Sequence, residues 1–232
     1  MVKRYENKLF SVLGDSISTL SGYSEPGDAV YYEGMRKIEA EVYDPEDTWW
    51  GQVIERLGGK LLVNNSFSGS AVCKHPDCTY PSFGCSEERT SALCQSDTKP
   101  DVIMIFMGTN DRGLGFPPTP ESEWQQRDLA VFSVAYSTML ERVEKNYPGA
   151  ELWCFTLPVS IRSNKPDFVF PYSYGKWHID DYCEVIRACA AARGCRVIDL
   201  YRADIPHDTV DGLHPNAEGM KTLADAVLAC LG

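Results

Sequence analysis

The chain has 232 residues, enough for one α/β domain with a substantial core, and its apolar share of 44% and charged share of 24% are ordinary for a globular protein. A formal net charge of −11, from 22 basic and 33 acidic residues, excludes a surface built to track nucleic-acid phosphates. No apolar run approaches a membrane span, and the run after the charged start Met1–Lys8 ends at Leu13, too short for a signal-peptide core. A cytoplasmic protein with reduced thiols is therefore expected, despite nine cysteines.

In chain order, Leu9–Leu13 is a short uncharged run that stops at Gly14-Asp15-Ser16, which reads as a buried strand leading into a loop or helix start. Residues 19–45, rich in Gly, Ser, Tyr and acidic side chains, read as a long loop or a loosely structured insertion directly after Ser16 that should overhang it. Asp47-Thr48 offers a cap for a helix whose Trp49, Trp50, Val53, Ile54 and Leu57 share one face. Lys60–Asn65 reads as a second strand closing on Ser66-Phe67-Ser68-Gly69. Asp101–Met107 is the strongest candidate for a central parallel strand and ends at Gly108-Thr109-Asn110-Asp111. An amphipathic helix is predicted from about Glu121 to Lys145, a fourth strand over Glu151–Thr156, and a second long loop over 157–176. A helix over Ile179–Arg193, a fifth strand over Arg196–Leu200 and a last helix from about Asn216 to Leu231 complete the pattern. Strands alternating with helices predict a parallel sheet covered on both faces, in a single domain over 1–232 with loop insertions at about 19–45, 72–99 and 157–176.

Three strands end in short polar motifs, and a fourth motif, Asp211-Gly212-Leu213-His214-Pro215, lies beyond the fifth strand. In a parallel sheet these ends face one way, so the motifs can converge. A serine hydroxyl becomes a nucleophile when a base takes its proton and a third group orients the base. Asp211 and His214, three residues apart, can lie on one side of a tight loop, whereas the adjacent His207 and Asp208 point apart. Gly69 allows close approach of a backbone N–H to an oxyanion, and Asn110 carries two side-chain donors. Each residue also has a plain structural reading: Ser16 as a helix N-cap, Gly69 as a turn glycine, Asn110 as an Asx-turn, Asp211 and His214 as a cap before Pro215.

Together the four motifs resemble the blocks of the SGNH (GDSL-type) hydrolases, which supply Ser, Gly, Asn and His in that order. Gly14-Asp15-Ser16-Ile17-Ser18 is similar to the first, Asn65–Gly69 to the second, Gly108–Asp111 to the third and Asp211–Pro215 to the last. The second block departs from the pattern at Ser66, where many members carry glycine. The resemblance implies a three-layer α/β/α, flavodoxin-like fold with a five-stranded parallel sheet. It also implies metal-free, cofactor-free ester hydrolysis through an acyl-enzyme. Ser16, His214 and Asp211 would form the triad, and the Ser16 N–H, Gly69 N–H and Asn110 amide the oxyanion hole.

The substrate expectation is a small ester such as an acetylated carbohydrate, with a lipid or thioester acyl hydrolase as the rival inside the family. A non-catalytic small-ligand module of the same fold and a metal-dependent hydrolase are rivals outside it. Tyr31, Tyr32, Phe168, Tyr172, Tyr174 and Trp177 are candidate sugar-stacking residues, or simply loop packing. Cys73, Cys78, Cys85 and Cys94, with His75 between them, match no paired zinc spacing; free thiols are expected, with disulfides or a metal as alternatives. The sequence leaves the oligomeric state open.

Overall fold

In the computed structural model, which describes residues 2–24, 27–75 and 82–232, five strands form the central sheet. They are β1 (Leu9–Gly14), β2 (Lys60–Ser66), β3 (Val102–Phe106), β4 (Glu151–Phe155) and β5 (Arg196–Ile198). Their spatial order is β2-β1-β3-β4-β5, and every neighbouring pair is parallel. This doubly wound order leaves its switch point at β1 and β3, where the open ends of the strands make a crevice.

Four longer helices cover the sheet: α1 (Trp49–Arg56), α2 (Phe132–Asn146), α3 (Ile179–Ala192) and α4 (Ala217–Leu231). The alternation along β3 explains why the whole run is apolar. Val102, Met104 and Phe106 pack with Trp49, Trp50 and Val53 of α1 and Met220 and Leu223 of α4. Ile103 and Ile105 join the opposite core, with Phe132, Tyr136 and Met139 of α2 and Tyr182 and Ile186 of α3. Both faces are covered, so neither set of side chains tolerates a polar substitution.

Local chemistry fixes the helix starts. Thr48 accepts from the Gly51 N–H at 3.0 Å and Asn216 from the Gly219 N–H at 2.9 Å, each occupying an otherwise orphaned donor. The expected helix over 121–145 begins later, at Phe132, because residues 117–131 fold back on its first turn. The Phe132 and Ser133 N–H groups donate to the carbonyls of Pro117 and Pro118 at 2.9 and 3.0 Å, and Glu123–Arg127 forms a separate 3₁₀ turn. The fifth strand stops at Ile198 rather than Leu200. Asp199 leaves the ladder to cap the short helix Leu200–Ala203 and to receive Arg187, whose Nε lies 2.8 Å from its Oδ2.

The stretch read as a bare loop over 157–176 contains paired backbone. Ser160–Ile161 runs parallel to His207–Asp208, and Ser173–Tyr174 pairs antiparallel with Trp177–His178. Cys73 and Cys85 are buried core residues beside α2, where burial raises both thiols, that of Cys85 to about 12. Cys94 is half-buried, and Cys78 lies outside the described residues. Among the described residues no three His, Cys, Asp or Glu side chains gather as metal ligands, and no helix is long and apolar enough to cross a membrane.

Candidate active site

β1 delivers its last residue, Gly14, into a crowded corner. A Cβ there would lie 2.7 Å from both Ser18 Cβ and Ser66 Oγ, so the strand end passes only as glycine. Asp15 then caps the 3₁₀ turn Ser16–Ser18 by accepting from the Ile17 N–H at 3.0 Å. The turn leaves Ser16 at the carboxyl end of the sheet, on the rim of the switch-point crevice.

The partner comes from the other end of the chain. His214 Nε2 lies 2.9 Å from Ser16 Oγ across 198 residues of sequence, and His214 Nδ1 lies 2.7 Å from Asp211 Oδ2. Because the carboxylate accepts from Nδ1–H, the Nε2 lone pair faces the serine hydroxyl. Partial burial opposes ionisation of Asp211, yet hydrogen bonds from the His214 ring, the His214 N–H and the Leu213 N–H hold it well below the usual carboxylate range. The loop carrying the pair is braced from several sides. Val210 N–H donates to the His214 carbonyl at 3.0 Å, Thr209 bridges Pro215, and Ser160 Oγ donates to the Gly212 carbonyl at 2.7 Å.

Gly69 has φ +84°, a conformation that favours glycine, and open space where a Cβ would stand. Among the described residues neither the Ser16 nor the Gly69 N–H has an acceptor. Asn110 Nδ2 donates to the Ser70 carbonyl at 2.9 Å, which ties its amide to the Gly69 loop and leaves a second N–H. A cavity of about 370 Å³ opens beside Gly69, walled by Phe67, Ala71, Cys73, Phe83 and Leu114.

A family model for GDSL-like lipases and acylhydrolases matches residues 8–164, more than half of the chain. The chain belongs to this family. No curated protein sequence matches it. Among solved structures, GDSL-like lipases from Bacteroides ovatus and Bacteroides uniformis are both 27% identical, with TM-scores of 0.74 and 0.72. The first covers 97% of this chain and 98% of its own, the second 99% and 97%. A carbohydrate acetylesterase from Sinorhizobium meliloti shares the fold at 17% identity and TM-score 0.63, over 97% of this chain and all of its own. The α/β architecture is thus that of the GDSL-like lipases, and the matched segment holds the Ser16, Gly69 and Asn110 blocks but ends before Asp211 and His214.

Several side chains of this GDSL-family site escape a reading by motif. Tyr31, expected to meet substrate, is 6% exposed and instead stacks on the His214 ring, with centroids 3.5 Å apart and planes 10° apart. Its hydroxyl donates to Asp211 Oδ2 at 3.0 Å, and burial, then the Asp211 charge, raise the phenol so that it stays a donor. Tyr32 is a correction: it is fully buried, and its hydroxyl donates to the Pro215 carbonyl at 2.8 Å, leaving no ring face for a sugar. Phe168 packs on Gly212 of the His214 loop, while Tyr172 and Tyr174 remain exposed and Trp177 packs against the α3 side of the core. Arg89, from the short helix Glu87–Ser91, is buried. It donates to the carbonyls of Gly14 at 2.9 Å, Asn65 at 2.8 Å and Ser82 at 3.1 Å, and to the side chain of Asn65. Asp111 turns away from the crevice and accepts the N–H groups of Val72 and Cys73, both at 2.8 Å.

Proposed function

We propose that this protein is a serine esterase in which Ser16 is the nucleophile, His214 the general base and acid, and Asp211 the group that orients His214. The observation that carries this reading is the continuous relay from Ser16 Oγ to His214 Nε2 at 2.9 Å and from His214 Nδ1 to Asp211 at 2.7 Å. Ser16 Oγ attacks the ester carbonyl as its proton passes to Nε2. The carbonyl oxygen becomes an oxyanion, received by the Ser16 and Gly69 N–H groups and the free Asn110 N–H. Collapse of the tetrahedral intermediate expels the alcohol, which takes its proton from the imidazolium. Water, deprotonated by His214, then attacks the acyl-serine, and the carboxylic acid leaves with Ser16 restored. Small acyl groups on a carbohydrate or similar alcohol are the preferred substrates in this reading.

Hydrolysis of p-nitrophenyl acetate tests it. Ser16→Ala and His214→Ala should each lower kcat by a factor on the order of 10⁶. Asn110→Ala should cost about 10²–10³, as expected for one oxyanion donor of several. Near-normal turnover by Ser16→Ala would refute the assignment. A second reading, hydrolysis of longer acyl chains, is favoured by the apolar walls of the cavity beside Gly69. A rise in kcat/KM from acetate through octanoate would select that reading over the first.

A further inference from the structure

A second, narrower recess is walled by Ile17, Thr109, Arg112, Phe170, His207 and Leu213. Ile17 follows Ser16 and Leu213 precedes His214, so the recess shares its wall with the site. Its volume is about 20 Å³, room for one water-sized group and little more.

Two buried side chains meet there with unmet hydrogen-bonding capacity. Arg112 is 4% exposed, and its guanidinium lies 5.1 Å from the centre of the Phe170 ring and 4.6 Å from that of Tyr174. Its Nε and Nη2 are buried and have no acceptor among the described residues, and the neighbouring Asp111 is committed to Val72 and Cys73. A guanidinium held away from water without a counter-charge is costly, and burial accordingly lowers its pKa. His207 is 2% exposed. Its Nδ1 lies 3.0 Å from the Val159 carbonyl, which assigns the ring proton to Nδ1. The Leu213 carbonyl lies near the ring but makes no hydrogen bond to Nε2, which is left a buried acceptor with no donor among the described residues. Burial holds this imidazole down to about 4, against the pull of the Val159 and Leu213 carbonyls and Asp208, so it is neutral at neutral pH.

We propose that this recess is a hydroxyl-recognition subsite: a free hydroxyl on the substrate accepts a hydrogen bond from Arg112 and donates its own proton to His207 Nε2. The chemistry narrows the ligand. A carboxylate would set a negative oxygen against the Nε2 lone pair, and a methylene would leave every one of these nitrogens unpaired. A hydroxyl is at once acceptor, donor and of the right size. The inference rests on the esterase reading and deepens it, since it specifies an ester of a polyol or sugar that keeps a free hydroxyl near the ester.

The test measures kcat/KM of the wild-type enzyme on p-nitrophenyl acetate, glycerol monoacetate, monoacetylated methyl xylosides and the singly deoxygenated analogue of each xyloside. Removal of one particular hydroxyl should lower kcat/KM by about 10²-fold or more, and removal of the others by less than about threefold. In Arg112→Met and in His207→Phe the ratio between the parent and that deoxygenated analogue should collapse toward one. Equal turnover of parents and all deoxygenated analogues by the wild-type enzyme would overturn the subsite without needing either variant to fold. Retention of the full ratio in both folded variants would overturn it as well. A wild-type enzyme inert on every ester, p-nitrophenyl acetate included, would instead overturn the esterase reading beneath it.

Discussion

Asp15 shows how one residue of the first motif makes stability depend on pH. Its Oδ1 accepts from the Ile17 N–H, but its Oδ2 is buried without a partner among the described residues. Burial, reinforced by the nearby Asp111 charge, raises the carboxyl to about 7, although the Ile17 N–H and Arg89 pull the other way. Between the unfolded value near 4 and this folded value, the folded chain keeps a proton that the unfolded chain has released. The stability tied to that proton is therefore complete below pH 4 and lost as pH rises through about 7. Asp15→Asn cannot ionise there. Urea titrations of both proteins should show the wild type losing roughly 2–3 kcal/mol relative to the variant between pH 5 and pH 8. Parallel stability curves would mean that Asp15 is ionised throughout.

Residues of this kind divide by whether their chemistry is local. Ser16, Gly69 and Asn110 stand in short motifs at strand ends and His214 in one beyond the fifth strand, so sequence alone picks them out as candidates. Tyr31 carries no such mark. Its stack on His214 and bond to Asp211 join positions 180 residues apart, and from sequence it is one aromatic among several in a polar loop. Arg112 and His207 are equally silent, because what distinguishes them is an unmet nitrogen in a buried recess.

At the scale of elements, periodicity located all five sheet strands and the long helices. It misplaced ends that depend on contacts from elsewhere, such as the start of α2 against Pro117 and Pro118. It also missed the short helix Gly34–Ala40 inside the stretch 19–45 read as a loop, where no apolar periodicity marks it. The short pairing of Ser160–Ile161 with His207–Asp208 had no pattern to reveal it, since two residues are too few for alternation. Glu87–Ser91 illustrates the same limit. By sequence it falls inside the insertion at about 72–99, yet it forms a helix whose Arg89 reaches inward and joins the ends of β1 and β2 through the carbonyls of Gly14 and Asn65. Arg89→Met would leave these carbonyls buried and unpaired, and should destabilise the fold by about 3 kcal/mol or more in thermal unfolding. Arg89→Lys should recover little of this, because a compact ammonium cannot span the carbonyls that the planar fork reaches together. A lysine variant as stable as wild type would reduce the contact to simple charge.

Across the whole molecule, the site depends on α4 docking closely enough to hold the His214 loop against a serine fixed by β1. Gly219, in the first turn of α4, makes that approach possible: a Cβ there would stand 1.9 Å from the Asp208 carbonyl oxygen. That carbonyl accepts the Asn216 N–H, and Asp208 Oδ2 accepts Asn216 Nδ2 at 2.8 Å, so the helix start and the strand before the His214 loop are clamped together. Gly219→Ala must push the two apart. It should destabilise the protein by about 1–3 kcal/mol and, by displacing His214 from Ser16, lower kcat on p-nitrophenyl acetate at least about tenfold. The same substitution at Gly113 supplies the contrast. That glycine lies within the helix Thr109–Leu114, with no heavy atom within 4 Å of an added Cβ. Gly113→Ala should stabilise the fold by about 0.5–1 kcal/mol through helix propensity alone. If Gly219→Ala lost stability yet kept full kcat, the His214 loop would be positioned by its own bracing to Thr209, Ser160 and Tyr32, and α4 would serve the core without serving the site.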